Sequence, residues 1–529
     1  MGNATAFPRP ADLPELVVPS ASSVSILPVA FLYFTGAFMR IFMIPVVALG
    51  VVAPISCSPR AGTVDAANNA LGAAQITSIQ FSGTGRWYQF GQAPNPTLPW
   101  PQFDVSSYTA IVDYAAPAAR VQMSRLQTVE PDRVRPAPVA QRPDQYVSGT
   151  TAWNMAPPAG APADAAPVAQ PQPAAVEERV MEIWTTPHGF LKAAAANNAT
   201  SQPAEGGSEV SFTAGKNRYV GTINEQNEVA VVRTWIDNPV LGDTEVRFNY
   251  TDYKDFNGVR FPSRIVRVQG GHPVLDITVS SVTANPGLNA TPPAAAPAAG
   301  PVTVTVDKLA NGVYYLKGGT HHSVAIDQKD HIVVVEGPQN EERSLAVIAK
   351  VKETIPNKPI RYLINTHVHF DHSGGLRTYV DEGATIVTHE MNKPYYEQAW
   401  AAPHTLNPDR LAQSKKMPMF ETFADKHLLT DGSRTIEIHK IAGGGHNDAF
   451  AMVYLPTEKI LIEGDAYTPA AADAPPPPVP NPFSVNLNDN IQRLKLDVRQ
   501  IAALHGPRLT TMTDLRTAIG QGAPAKGTN

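Results

Sequence analysis

The stretch NTHVHFDHSGG, residues 365–375, sets His367, His369, Asp371 and His372 within six positions. Imidazole nitrogen and carboxylate oxygen are the usual ligands of zinc where no thiolate is offered. The chain has one cysteine, Cys57, which excludes a cysteine-built zinc finger, an iron–sulfur site and any intrachain disulfide. His367, His369 and Asp371 alternate, so in an extended segment they project to one side while His372 points elsewhere. One short loop can then offer two histidines to one cation and an aspartate with a histidine to a second. Two neighbouring cations repel, and Asp371 is one anionic group to offset that. The apolar run RYLIN before the loop reads as a strand, and Ser373, Gly374 and Gly375 after it open a helix at close quarters.

Two metals need more ligands than one loop holds. Three candidates fall at the ends of expected elements: His446 in the glycine turn AGGGHND, Asp465 closing the strand KILIEGD, and His505 in ALHGPR, after the stretch NDNIQRLKLDVRQIAAL, which reads as an amphipathic helix. His321, His322, His389, His404, His427 and His439 have no such support and read as ordinary polar residues, although GGTHHS is compatible with the site mouth. Strand-like runs such as GVYYLKG, SVAIDQ, HIVVVEG and AFAMVYLP alternate with helical ones such as EERSLAVIAKVKETI, which suggests a layered α/β domain.

The order H-x-H-x-D-H, then His, Asp and His, resembles the metallo-β-lactamase superfamily over about residues 303–516. The resemblance implies an αββα sandwich with metals at the edge of its two sheets. It implies that His367, His369 and His446 hold one metal, that Asp371, His372 and His505 hold a second, and that Asp465 bridges them. Two zinc ions are the implied cofactors, with iron or manganese also suited to His/Asp sites. One departure is visible: an early strand usually ends in Asp, which supports the metal loop, and here that position is Glu336. A longer carboxylate can still make such a supporting contact.

Two such cations lower the pKa of a bridging water from 15.7 towards roughly 7. The hydroxide attacks an electrophilic carbon or phosphorus, and Asp371, the catalytic candidate, orients it and helps protonate the leaving group. In the true β-lactamases of the family the bridging position is commonly Cys or Ser. Aspartate there is the pattern of lactonases, glyoxalase II-type thioesterases, phosphodiesterases and nucleases. The leading expectation is therefore a hydrolase of an ester, lactone or thioester-like bond in a small molecule. The alternatives are a β-lactam or phosphodiester hydrolase on the same site, or a binding or sensor protein with little catalysis. Only residues 466–504 separate Asp465 from His505, too few for the inserted domain of the RNA-processing branch, since a domain takes at least ~50 residues.

At 529 residues, two or more domains are expected. The 42 Lys+Arg and 47 Asp+Glu give a net charge of −5, which leaves no electrostatic footprint for nucleic acid. The N-terminal stretch MRIFMIPVVALGVVAPISC, ending at Cys57, has the layout of a secretory signal and resembles a bacterial lipoprotein signal. Residues 1–57 are accordingly read as a signal or membrane-attachment segment, and the location as periplasm or cell envelope. Residues 66–289 read as a β-rich domain with an α+β character and a Pro/Ala-rich insert at 156–175. Its piece FNYTDYKDFNGVRFPSRI resembles periplasmic lipoprotein-carrier-like half-barrels. Residues 290–302 read as a Pro/Ala linker, 303–516 as the metal domain and 517–529 as a tail. The sequence leaves the oligomeric state open.

Overall fold

Alternating apolar residues and tight turns dictate the first half of the chain. The computed structural model describes residues 61–158, 165–293, 300–472 and 474–521. The segment read as a signal or membrane attachment, Cys57 included, lies outside the described residues. Among the described residues, 13 strands form one antiparallel sheet made of two meanders, joined where Ser78–Tyr88 pairs with His272–Ala284. Asn257 and Gly258, at φ 53° and 88°, make the two-residue turn between Gly242–Phe256 and Val259–Gln269. Positive φ at both positions matches the right-handed twist of the strands they connect. Part of the Pro/Ala-rich insert at 156–175 joins the sheet: Val168–Pro171 pairs with Thr151–Ala156 as its edge, where a proline costs no ladder bond.

Helices Val176–Thr185 and Pro187–Ala196 cover one face of this sheet with Met181, Ile183, Phe190 and Leu191. His188 is fully buried there. Its Nε2–H donates to the Leu71 carbonyl at 3.2 Å, and its ring stacks on Phe261. Burial, which disfavours the charged ring, pushes its pKa down to about 4. An unfolded histidine has a pKa of about 6.5. The neutral ring's contribution is therefore fully present above that pH and is lost as pH falls towards 4. The limit of that loss is about 3 kcal/mol. We expect His188→Gln to flatten the fall in urea midpoint between pH 7 and pH 4.5. An unchanged pH slope in the variant would contradict this account of His188.

The second half is four layers. A mixed seven-stranded sheet spans Thr305–Ala310 to Met419–Phe423, and a six-stranded sheet spans Lys426–Thr430 to Thr510–Thr511. Strand Ile332–Val335 shows why the layers stack. Val333 and Val335 face the core between the sheets, with Ile438, Val453 and Ile462 opposite. Ile332 and Val334 face the other way, onto Val347 and Val351 of helix Glu341–Thr354. A strand covered on both faces needs apolar residues throughout, hence IVVV. On the far side, helices Pro482–Arg493 and Met512–Ala518 cover Met452, Leu461 and Ile501 with Leu487, Ile491 and Leu515. This is the expected αββα sandwich, preceded by a β-rich unit.

The helix expected over residues 488–504 is shorter than its pattern. It ends at Arg493, Lys495 takes φ 55°, and Gln500–Ala503 is a strand parallel to Ile460–Glu463. The run IAAL is short and buried on both sides, and such a run is read equally well as helix or strand.

Candidate metal centre

Five strand ends meet at one rim of the sandwich. Glu336 follows Ile332–Val335, the loop 365–375 follows Ile360–Ile364, His446 precedes Ala451–Leu455, Asp465 follows Ile460–Glu463 and His505 follows Gln500–Ala503. All seven residues expected as ligands are brought together there. His367, His369, His446 and Asp465 form one group able to hold a cation, and Asp371, His372 and Asp465 form another. His505 joins Asp371 in a third group, through His321. That last residue was set aside in the sequence as an ordinary polar one. It belongs at the site because its segment pairs with that of His505, the rings 4.2 Å apart, while its Nε2 lies 3.2 Å from Asp371 Oδ2. The doubled histidine after the glycines of GGTHHS was the available signal.

The loop's local geometry differs from a simple alternation. His367 and His369 lie in extended chain, but Phe370–Ser373 is one helical turn. Asp371 and His372 are aimed by that turn and not by a strand. Gly374 and Gly375 follow because a Cβ at either would stand 1.9 Å from the Gln339 carbonyl oxygen or 2.0 Å from Ser344 Oγ.

One fully buried carboxylate sets the ring orientations. Glu336 Oε2 accepts from His372 Nδ1–H at 3.1 Å and from the Thr366 hydroxyl, whose oxygen accepts from His367 Nδ1–H at 3.0 Å. Both histidines are thereby left with Nε2 free towards the site. His369 is held the opposite way: its Nε2–H donates to the Ala93 carbonyl at 3.1 Å, which frees Nδ1. A partner on one ring nitrogen fixes which nitrogen can ligate. Glu336 thus fills the supporting position with the longer side chain, at φ 73°, a backbone region costly for a residue with a Cβ.

The free atoms converge. His367 Nε2 lies 3.0 Å from His369 Nδ1 and 3.3 Å from His446 Nε2. Zinc–nitrogen bonds of 2.0–2.1 Å place two tetrahedral ligands about 3.3–3.4 Å apart, so this trio fits one zinc. Asp465 Oδ2 is 3.2 Å from His446 Nε2, and its Oδ1 is 2.9 Å from His372 Nε2. His372 Nε2 and Asp465 Oδ1 are nonetheless buried without hydrogen-bonding geometry, as is His505 Nδ1. Buried polar atoms without partners are rare; the first two, close but misaligned, aim at a common third point.

Charge follows the same arrangement. Burial opposes ionisation of Asp465, but the neighbouring His372 and His446 overcome it and hold the carboxyl well below the usual range. Burial also opposes a charged His372, and Asp465 and Glu336 overcome that, raising its pKa well above the ordinary value. His369 is pushed down to about 3 by burial and by His446. Burial and the adjacent His372 and His369 hold His367 well below its ordinary value. Neutral His367 and His369 beside the ionised Asp465 are in the state that binds a metal, and a cation at His372 Nε2 would take the place of the proton that Asp465 and Glu336 favour there.

The model of the metallo-beta-lactamase superfamily matches residues 316–499. That match and the four-layer sandwich give the C-terminal part of the chain the metallo-beta-lactamase fold, with histidines and carboxylates gathered at its rim. Members of the class are generally hydrolases, although some are non-catalytic, and they usually bind zinc. Among solved structures, a metallo-beta-lactamase from Pontibacter korlensis is similar at 20% identity and TM-score 0.31, covering 41% of this chain and 98% of its own. One from Hirschia baltica has 20% identity, TM-score 0.31 and coverage of 41% and 96%. The FIM-1 enzyme of Pseudomonas aeruginosa, in its mono-zinc form, has 18% identity, TM-score 0.31 and coverage of 42% and 95%. No curated protein matches the chain.

Proposed function

We propose that the C-terminal domain holds two zinc ions and hydrolyses an ester, lactone or thioester-like bond in a small molecule. The observation that carries this reading is Asp465, whose two carboxylate oxygens face different histidines, Oδ2 towards His446 and Oδ1 towards His372. His367, His369 and His446 would hold one ion; Asp371, His372 and His505 would hold the other, with His321 beside them. Bound there, the ions supply Lewis acidity and a water of lowered pKa.

The side chains do the rest. Asp371 keeps a third of its side chain exposed while Gln92 and His321 clamp its two oxygens. It can therefore orient an attacking water and pass a proton to the leaving group. Burial opposes its ionisation, but the His321 hydrogen bond and His372 overcome this and hold its carboxyl below the usual carboxylate range. Aspartate at the bridging position, where β-lactamases of the family commonly carry Cys or Ser, favours esters, lactones and thioesters over β-lactams. Export to the cell envelope, read from the N-terminal sequence, belongs to the same proposal. Among the described residues no helix is long and apolar enough to cross a membrane.

The test is elemental analysis of full-length protein prepared without chelator, followed by a panel of esters, lactones, thioesters, phosphodiesters and β-lactams. We expect about two zinc ions per chain and turnover in the first three classes. Tight zinc binding with no turnover anywhere in the panel would favour a binding protein. A stoichiometry near zero after zinc supplementation would remove the metal reading.

A further inference from the structure

The metal loop does not stand alone at its rim. Residues 89–101, between strands Ser78–Tyr88 and Gln102–Asp113 of the large sheet, run across it. Gln92 Nε2–H donates to Asp371 Oδ1 at 2.8 Å, and Phe370 N–H donates to the Gly91 carbonyl at 3.1 Å. The Ala93 carbonyl accepts from His369 Nε2–H and, at 3.2 Å, from Asn447 Nδ2–H beside His446. Asp448 N–H donates to the Pro94 carbonyl at 2.8 Å, and its carboxylate accepts from Asn95 and from both Arg133 terminal nitrogens at 2.6–2.8 Å.

The fit is close enough to forbid side chains. A Cβ on Gly91 would stand 2.7 Å from the Phe370 ring, and Gly91 sits at φ 79°. A Cβ on Gly445, next to His446, would stand 1.9 Å from the Val134 carbonyl oxygen. Phe370, in the metal loop, has Phe90 and Trp100 edge-on at 5.2 and 5.8 Å. The described residues form one compact unit.

We infer that the large sheet completes the metal site, with Gln92 as a positioning residue that holds the Asp371 carboxylate in ligating orientation. An aspartate a third exposed has free rotation about its last bond unless something fixes it. Gln92 fixes Oδ1, which leaves Oδ2 turned towards His321 and His372. This crossing strap, residues 89–101, also selects the His369 tautomer through the Ala93 main-chain carbonyl, a contact no side-chain substitution in the metal domain can replace. The β-rich half is then neither a passive leader nor an independent binding module. It supplies the outer hydrogen bonds of the ligands at two points of the rim.

This inference rests on the metal reading proposed above, and the experiment separates the two. Full-length wild type, Gln92→Met and Gly91→Ala are titrated with zinc alone against a competing chelator. Cobalt(II)-loaded samples are compared by visible absorption, and the metal-free proteins are melted. Gln92→Met keeps the side-chain length and removes the donor. We expect its weaker zinc site to lose roughly 10- to 100-fold in affinity, the range for removing such outer partners. We also expect a changed cobalt spectrum and an unchanged metal-free melting temperature. Gly91→Ala, which pushes the strap off Phe370, should weaken the same site. Wild-type affinity and spectrum in Gln92→Met would overturn the inference while leaving the metal reading intact. So would a fall in its melting temperature with no change in spectrum, since packing alone would do that. Wild-type protein that binds no zinc would overturn both.

Discussion

Asp465→Ala should lower turnover by at least ~100-fold, the scale of losing one strong preorganised electrostatic contribution, and should release one of the two metals. The carboxylate is only 13% exposed, and its oxygens lie against His446 on one side and His372 on the other. Removing it would leave the two proposed ions to repel with Asp371 as the one carboxylate remaining among their proposed ligands. It also strips the buried His372 of the counter-charge that raises its pKa. The fold should survive better than the site, because the neighbours Gly464 and Ala466 stay anchored by strand Ile460–Glu463 and by the apolar cluster of Ala466 with Leu487. Turnover on the best panel substrate and zinc content, measured together, decide this. Both metals retained with near-normal turnover would place the bridge on another carboxylate.

Glu336→Ala should be the most damaging change to stability, by about 3–5 kcal/mol, the range for removing one partner of a buried pair. Its carboxylate has no exposure, and it accepts from His372 Nδ1–H, from the Thr366 hydroxyl and, at 3.2 Å, from Asn365 Nδ2–H. Those donors would remain buried with water unable to replace what they lost. The left-handed backbone at residue 336 would persist without the contacts that hold it there. Because one oxygen orients both His367, through Thr366, and His372, zinc affinity should fall at both sites, by roughly 10- to 100-fold. Denaturant unfolding with and without zinc measures both effects. A stability loss below about 1 kcal/mol would mean that this carboxylate is not the anchor of the loop.

The residues of the rim were legible because candidate ligands placed at strand ends leave an ordered trace in sequence. His367, His369, Asp371, His372, His446, Asp465 and His505 each sit where an apolar run stops, and the structure brings all seven to one rim. The layered fold was legible for the same reason, from runs such as IVVV and KILIEG. What was not legible depends on contacts between segments far apart. Gln92 meets Asp371 across 279 positions, and no periodicity or motif marks it. His321 carried a faint signal, but its role depends on the pairing with His505, at the opposite end of the domain. The strand Gln500–Ala503 was misread because the apolar run from Ile501 to Leu504 carries no period of its own, and a preceding amphipathic helix lent it one. The alternation of His367, His369 and Asp371 likewise concealed the helical turn at Phe370–Ser373, whose formation depends on the glycines and on the Gly91 carbonyl that caps Phe370 N–H.

The central claim is a pair of metal ions bridged by Asp465. Anomalous diffraction at the zinc edge, from crystals of the full-length protein grown with zinc, tests it most directly. We expect two peaks about 3.5–4 Å apart, one among His367, His369 and His446 and one among Asp371, His372 and His505, with Asp465 between them. A single peak, or two peaks that Asp465 does not touch, would contradict it.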